Sequence, residues 1–379
     1  MRSILHLDLD AFFVSVERLK DNRLEGKPLI IGGTGDRGVV SSCSYEARRF
    51  GVHSAMPMRM ARKLCPHAIV ISGDFDSYSD YSHMVTEIIQ EDSPIFEKAS
   101  IDEFYIDLTG MERFYGCWQY ADKISKRVHK ETGLPLSFGL SVNKLVSKVA
   151  TGEVKPNGKV EIPLPKVSNF LAPLSVRKIP SVGKQTTQEL VNMGIRTVRE
   201  LRQIPKPVLQ KVFGKPGVSL YRKARGEDNR PVEPFSERKS MSQERTFSQD
   251  TTDVQALKRI LVRMVEQLTF KLREERKLTA CVTVKLRYAN FDTVSKQKRI
   301  SYTASDEHIL ERVMALFEQL YERRLRIRLI GVRLSNLVPG GTQIALFEKQ
   351  PRQVDLYQAM DALKAKHGGK ILRKASGWE

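Results

Sequence analysis

Ile4-Leu5-His6-Leu7-Asp8-Leu9-Asp10-Ala11-Phe12-Phe13 is an apolar run near the start of the chain that carries two carboxylates on either side of Leu9. A strand alternates its side chains, so Asp8 and Asp10 share one of its faces. A second acidic station, Ser100-Ile101-Asp102-Glu103-Phe104-Tyr105-Ile106-Asp107, has similarly apolar and aromatic surroundings. An ionised carboxylate is costly there unless a cation compensates it. Asp102 and Glu103 are consecutive and would point to opposite faces of a regular strand. To serve one site they must sit at a turn or strand end, between short strands at 96–100 and 104–108. Asp8, Asp102 and Glu103 would then offer the hard oxygen ligands that Mg²⁺ takes. Two such ions can clamp the attacking and leaving oxygens of an in-line phosphoryl transfer. On these residues alone, solvated or salt-bridged acids near strand ends remain the alternative.

The 379 residues, 41% of them hydrophobic, suffice for about two to four modules with cores of their own. The chain opens directly on a strand pattern, without a basic and apolar leader, and no apolar run approaches membrane-spanning length. A cytoplasmic protein with no membrane partner is expected. Cys43, Cys65, Cys117 and Cys281 are scattered without a C-x-x-C pair, so neither a disulfide framework nor a zinc site is indicated. The net charge of +19 is unevenly placed. Residues 1–165 hold 21 Lys and Arg against 22 Asp and Glu, whereas residues 166–379 hold 42 against 22. A neutral, carboxylate-bearing first part and a strongly basic second part read as a catalytic module followed by modules that grip a polyanion.

Up to residue 165, strand-like runs (4–9, 28–31, 39–42, 69–71, 96–100, 104–108, 136–141) alternate with helical stretches (11–20, 44–50, 56–64, 75–91, 117–132, 143–152), an α/β layout. A helical, Gly- and Pro-punctuated region follows, to about Pro234. In it Lys178-Ile179-Pro180-Ser181-Val182-Gly183-Lys184 reads as helix, glycine turn, helix. A helix-hairpin-helix of this kind holds a phosphate on backbone N–H groups without reading bases. Ser181 takes the place of the first glycine of the usual turn, and a plain helix-turn-helix without DNA contact is the alternative. After a polar linker at 235–240, strands near 280–288, 298–302 and 330–337 and amphipathic helices near 253–275 and 307–323 make a smaller α+β domain.

In combination these motifs resemble the Y-family DNA polymerases, and within them the bacterial DNA polymerase IV (DinB-type) branch. The resemblance covers the chain to about residue 338. It rests on Leu7-Asp8-Leu9-Asp10-Ala11-Phe12-Phe13-Val14-Ser15-Val16-Glu17, on Ser44-Tyr45-Glu46-Ala47-Arg48-Arg49-Phe50-Gly51-Val52, on Ser100-Ile101-Asp102-Glu103 and on Lys155-Pro156-Asn157-Gly158. The fold it implies is α/β and α+β multidomain, a right-hand polymerase. Residues 1–10 and 75–165 would be palm, 11–74 fingers, 166–234 a thumb with the helix-hairpin-helix, 241–338 a little finger and 339–379 a C-terminal tail.

The activity implied is template-directed, error-prone translesion DNA synthesis by two-metal nucleotidyl transfer to a primer 3′-OH. No second acidic cluster suggests a proofreading exonuclease. By resemblance Asp8, Asp102 and Glu103 are metal ligands for two Mg²⁺ ions, which Mn²⁺ can replace, with the Leu9 carbonyl assisting. Asp10 lies beside the site and is not counted as a ligand. Tyr45, Arg48 and Lys155 would grip the triphosphate, with Phe12 and Ser42 also at the nucleotide. Phe13 would be the steric gate that excludes a 2′-hydroxyl, and small Ser41 and Ser42 the roof over the nascent pair. Val182, Gly183 and Lys184 would contact DNA. Gln343-Ile344-Ala345-Leu346-Phe347, after Pro339-Gly340-Gly341-Thr342, resembles the peptide that binds the bacterial sliding clamp, with Gln343, Leu346 and Phe347 as its contacts.

The implied partners are primer-template DNA, deoxynucleoside triphosphates and the clamp, for a protein acting as a monomer. Ala150-Thr151-Gly152-Glu153-Val154 departs from the family pattern by placing a helix-weakening glycine and an acid before the lysine motif. In the tail, Leu356, Met360 and Leu363 share a helical face and suggest a packing helix. Two readings of other classes remain. One is a non-catalytic scaffold that binds DNA and clamp on a polymerase-like fold. The other is a palm-type nucleotide cyclase, which would not need the basic second part.

Overall fold

The computed structural model describes residues 2–93, 95–111, 116–234, 237–322, 325–340, 351–368, 371–372 and 375–377. The chain divides into two compact units, Met1–Ser236 and Glu237–Glu379. The first runs β1 (Ile4–Leu9), α1 (Phe12–Lys20), β2 (Leu29–Gly32), β3 (Val40–Cys43), α2 (Tyr45–Arg48), α3 (Met58–Leu64) and β4 (Ile69–Ile71). It continues through α4 (Phe75–Asp92), β5 (Phe96–Lys98), β6 (Glu103–Asp107), α5 (Cys117–Thr132), β7 (Leu136–Ser141), α6 (Lys144–Val154) and β8 (Lys159–Ile162).

Five strands form a sheet in the order β5-β6-β1-β7-β8. β1 is central and antiparallel to both neighbours, and all six of its residues are buried. Leu5, Leu7 and Leu9 pack in one core with Val85 and Ile88 of α4 and Ile124 and Val128 of α5. On the alternate positions, the Ile4 carbonyl and the His6 ring meet the Ser147 and Thr151 hydroxyls of α6. A Cβ at Gly139 would overlap the Ser147 carbonyl and lie 2.8 Å from the Thr151 amide, so glycine in β7 lets α6 sit close on the sheet. A second sheet, β3-β2-β4, carries α2 and α3 over a core of Ile30, Val40, Cys43, Ala47 and Met58. Then come α7 (Leu164–Leu171), α8 (Lys184–Asn192), α9 (Val198–Gln203), α10 (Lys206–Phe213) and α11 (Lys215–Ala224). These helices share a core with Val146, Val149 and Ala150 of α6.

The second unit holds β9 (Ser240–Thr251), α12 (Val254–Glu274), β10 (Lys277–Tyr288), β11 (Thr293–Thr303), α13 (Asp306–Leu320), β12 (Ile327–Pro339) and α14 (Pro351–His367). Its sheet, β11-β10-β12-β9, is antiparallel throughout. One face, through Val282, Val284, Leu286, Ile330 and Val332, packs with Leu257, Leu261 and Leu268 of α12 and Val313 and Phe317 of α13. Among the described residues no helix is long and apolar enough to cross a membrane.

The structure departs from the sequence expectations in four places. β8 is a short, half-polar edge strand with no alternating apolar signal. β9 starts at Ser240, inside the expected linker, and is a largely exposed edge strand paired, among the described residues, only with β12. Gly152 does not break α6, which runs on to Val154, and Glu153 turns away to pair with Lys178 at 2.7 Å. In α14 the expected packing face is wrong: Leu356 and Leu363 are 56% and 47% exposed. Polar side chains hold the helix instead, with Asp361 on Arg273 at 2.6 Å and the Arg273 guanidinium 4.7 Å above the Tyr357 ring.

Candidate active site

The two acidic stations meet because of strand register. In the β1–β6 pair Asp8 stands opposite Glu103, and the Leu9 amide donates to the Asp102 carbonyl at 3.0 Å. The turn before β6 is closed by the Ala99 amide on the Glu103 carbonyl at 2.9 Å, and the Ser100 hydroxyl donates to Asp102 Oδ1 at 2.6 Å. Each remaining carboxylate has a cation of its own. Lys155 Nζ donates to Asp8 and Lys148 Nζ donates to Glu103. Behind Glu103, His6 Nε2 is 3.8 Å from its carboxylate, while His6 Nδ1 is 2.9 Å from the Thr151 hydroxyl.

These environments push the two acids apart. Burial raises the Asp8 carboxyl to about 7 against the pull of Lys155. Burial also acts upward on Glu103, but the His6 ring beside it and the hydrogen bond and charge of Lys148 outweigh it and hold Glu103 down to about 2. Burial lowers the His6 ring itself, against the pull of Glu103.

Among the described residues no three His, Cys, Asp or Glu side chains converge on a single point. The donor set nevertheless suits a hard divalent ion. Asp8, Asp102, Glu103 and the Leu9 carbonyl are all oxygen donors at one end of one sheet. Opposed residues of an antiparallel pair have Cα atoms only about 4.5–5.5 Å apart, so turning Asp8 and Glu103 onto a shared cation needs rotamer changes and release of Lys155 and Lys148, not a new backbone.

Asp10 is the best-buried acid of the group, 1% exposed. Its Oδ1 accepts from the Tyr45 hydroxyl at 3.2 Å, and its Oδ2 accepts from the Ser137 hydroxyl at 2.7 Å and the Asn157 amide at 2.8 Å. Lys155 Nζ is 4.0 Å from Oδ1. One carboxylate therefore ties β1 to α2, to β7 and to the Lys-Pro-Asn-Gly turn. In that turn a Cβ at Gly158 would overlap the Val154 carbonyl, which fixes glycine at the position. The Arg48 guanidinium lies 4.6 Å above the Tyr45 ring, and Ser44 caps α2 by accepting from the Ala47 amide at 3.3 Å. Asp8, Asp10, Tyr45, Arg48 and Lys155 thus stand together.

Ala11 is in the left-handed region (φ 45°) and turns the chain from β1 into α1. Consecutive phenylalanines then take different places. Phe12 is buried in the core, whereas Phe13 is half-buried and stacks on Tyr78 with centroids 4.3 Å apart and planes at 12°. The Tyr78 hydroxyl donates to the buried Glu17 carboxylate at 2.7 Å. Ser42 is buried in β3 and Ser41 beside it is exposed. In the hairpin, Ser181 adopts φ 72°, the conformation that a glycine usually supplies. Lys223 Nζ donates to the Pro180 carbonyl at 3.0 Å and to the Ser181 hydroxyl, bracing the turn. Gly183 caps α8, Lys184 begins it, and Val182 packs against the core shared by α7 to α11. Gln343, Leu346 and Phe347 lie outside the described residues. Lys148, His6 and Ser137 were not singled out from sequence. Lys148 lies one helical turn before Thr151 and so shares its face of α6, but no local motif marked that face as turned toward β6.

The family model described as the impB/mucB/samB family matches residues 7–152, its C-terminal domain matches residues 238–346, and a model of the DNA polymerase-iota thumb domain matches residues 177–228. A protein of Dehalococcoides mccartyi named DNA polymerase IV is 38% identical over 97% of this chain and 95% of its own. A Y-family DNA polymerase chimera of Dbh and Dpo4 superposes with TM-score 0.82 at 27% identity, over 89% of this chain and all of its own. A structure titled insertion ternary complex of Dbh DNA polymerase matches with TM-score 0.66 at 26% identity, over the same shares.

Proposed function

The chain belongs to the impB/mucB/samB family of Y-family polymerases that includes DNA polymerase IV, and on that premise we propose that Asp8, Asp102 and Glu103 are the catalytic carboxylates of its DNA synthesis. The protein is a DNA-directed DNA polymerase of the translesion type, dependent on divalent metal, that acts on DNA and nucleotides. The readings as a scaffold without catalysis or as a nucleotide cyclase are not favoured. The observation that carries the assignment is the register pairing of Asp8 with Glu103, with Asp102 bonded through its backbone to Leu9.

Asp8, Asp102, Glu103 and the Leu9 carbonyl would hold two Mg²⁺ ions, which when bound supply the positive charge that neutralises a triphosphate during in-line transfer. The remaining work falls to the chain's own groups. Arg48 offers a planar fork of donors and Lys155 a point charge to the triphosphate oxygens, and Tyr45 a hydroxyl. Lys155 pairs with Asp8 before nucleotide arrives, so its ammonium is already beside the site and exchanges one anion for another. Asp10 takes no part in coordination. It holds Tyr45 and the turn bearing Lys155 in place. Phe13, backed by the Tyr78 ring, is the surface a 2′-hydroxyl would strike, and Phe12 supports it from the core, with Ser42 small enough to leave room above the base.

Val182, Gly183 and Lys184 would hold a DNA phosphate at the start of α8. The basic second unit adds sequence-independent grip through its Lys and Arg side chains. Residues 343–347 would tether the enzyme, as a monomer, to the bacterial sliding clamp. Primer extension tests the whole: DNA growth that stops with a chelator and resumes with Mg²⁺ supports it. Conversion of nucleotide to a cyclic product without a primer would favour the cyclase instead.

A further inference from the structure

The β10–β11 hairpin ends on Ala289-Asn290-Phe291-Asp292, and this short loop is tightly made. The Tyr288 amide donates to the Asp292 carbonyl at 2.9 Å, the Phe291 amide to the Tyr288 carbonyl at 3.0 Å, and the Ala289 amide to the Arg326 carbonyl at 2.9 Å. Asn290 and Asp292 bond each other, with the Asn290 amide nitrogen donating to Asp292 Oδ2 at 2.6 Å and the Asp292 backbone amide to Asn290 Oδ1 at 3.1 Å. Tyr288 anchors the base of the hairpin through its hydroxyl on the Leu320 carbonyl at 2.7 Å. Within this rigid loop Phe291 has φ 70°. Hairpin tips that need a positive φ are filled by Gly, Asn or Asp, and a bulky aromatic residue there is a genuine outlier.

The strained residue is also the wrong type for its surroundings. Phe291 is 61% exposed, so its ring adds nothing to the core of the unit. The Arg328 guanidinium covers one side of the ring, 4.4 Å from the centroid. Arg326 and Arg287 come from the strand ends and connection beside the hairpin. Asp292, the one acid of the loop, is occupied by Asn290. The unit as a whole carries 28 Lys and Arg against 17 Asp and Glu, a net of +11. A cation stacked on an exposed ring within a positive field matches the combination that sequence-independent proteins use to hold single-stranded nucleic acid.

We propose that Phe291 and Arg328 form a stacking site for an unpaired nucleobase of single-stranded template DNA. Phenylalanine has no hydrogen-bonding group, so the open side of its ring accepts any base or altered base. That tolerance suits an enzyme that copies damaged templates. Arg328 fixes the ring from behind and offsets the charge of the phosphates on either side of the stacked base. The established activity supplies the ligand, because every template ahead of a primer is unpaired.

The backbone strain makes the test unusually discriminating, because removing the ring relieves strain while it removes the proposed contact. Full-length wild type, Phe291→Gly and Phe291→Trp are compared by fluorescence anisotropy on oligo(dT) and on a blunt duplex of equal length, together with thermal unfolding. Phe291→Gly is expected to raise the unfolding temperature, to weaken oligo(dT) binding by about 5- to 150-fold, the range for one stacked base, and to leave duplex binding within about twofold. Phe291→Trp is expected to keep oligo(dT) binding. Unchanged oligo(dT) affinity in Phe291→Gly overturns the proposal, and if clamp stimulation is then lost the ring belongs to a protein interface. An equal loss on oligo(dT) and duplex overturns it as well, as does Phe291→Trp binding as weakly as Phe291→Gly.

Discussion

Replacing Asp10 tests whether the site is held together by an acid that ligates nothing. Its carboxylate receives three hydrogen bonds, from Tyr45, Ser137 and Asn157, in a pocket closed to solvent. Hydrogen bonds to a charged group contribute about 1.5–3 kcal/mol each, and a buried donor left without a partner costs about 1–3 kcal/mol. In Asp10→Ala the Asn157 amide cannot turn elsewhere, the two hydroxyls can partly rotate, and Lys155 loses one of its two acids. The expected loss is about 3–5 kcal/mol. Asp10→Asn keeps the shape and one acceptor oxygen, and its amide can donate to a reversed Tyr45 hydroxyl, so about 1–2 kcal/mol is expected. Urea unfolding read by Trp118, whose ring lies 5.3 Å from that of Phe138 in the same strand as Ser137, reports on this region once Trp378 is replaced by Phe. In the folded Asp10→Asn enzyme the KM for deoxynucleotide should rise more than kcat falls, because Tyr45 and Lys155 are what it displaces. Unfolding midpoints of both variants that match wild type, with an unchanged KM, would refute the reasoning.

Three further outcomes are expected. Phe13→Ala should increase ribonucleotide incorporation on the order of 10-fold or more relative to deoxynucleotide, since it removes a clash and no catalytic group; equal discrimination in single-turnover kinetics would remove the gate. Binding to primer-template should weaken steeply with salt, each neutralised phosphate adding about −0.9 to the log-log slope. Deleting residues 237–379 should flatten that slope, and an unaltered slope would mean that the basic excess of this unit does not grip DNA. Substituting Ala for both Leu346 and Phe347 should leave unaided extension intact and abolish stimulation by a bacterial sliding clamp, with a binding loss of about 2 kcal/mol or more for each hot-spot side chain. Unchanged clamp affinity and stimulation would make the match of residues 343–347 accidental.

The palm was legible because its strands obey a simple rule. β1, β6 and β7 lie in a sheet with buried faces, so their apolar patterns are dense, and consecutive Asp102 and Glu103 could be assigned to a turn before the hairpin closed on them. The edge strands β8 and β9 pack too little to demand such a pattern and were not legible. α14 misled for a related reason. A helical apolar stripe at Leu356 and Leu363 says only that the residues share a face, and the contacts that dock this helix are ionic, centred on Arg273. In the site, acids and bases inside named motifs could be singled out. Lys148, His6 and Ser137 could not, because each acts through a partner brought near by sheet register or by the lie of α6 on the sheet. Asp10 was recognisable as a neighbour of the site, but its role as a tie between four elements appears only when the turn bearing Asn157 folds back onto β1.

The most direct measurement is Mg²⁺-dependent extension of one primer by Asp102→Ala and by Glu103→Ala, alongside their affinity for the same primer-template. If the carboxylates paired across β1 and β6 are the catalytic centre, extension falls by about 100-fold or more, the scale of losing one preorganised electrostatic group, while DNA affinity stays within about twofold. Near-normal extension by either variant would contradict the assignment of the metal-binding centre.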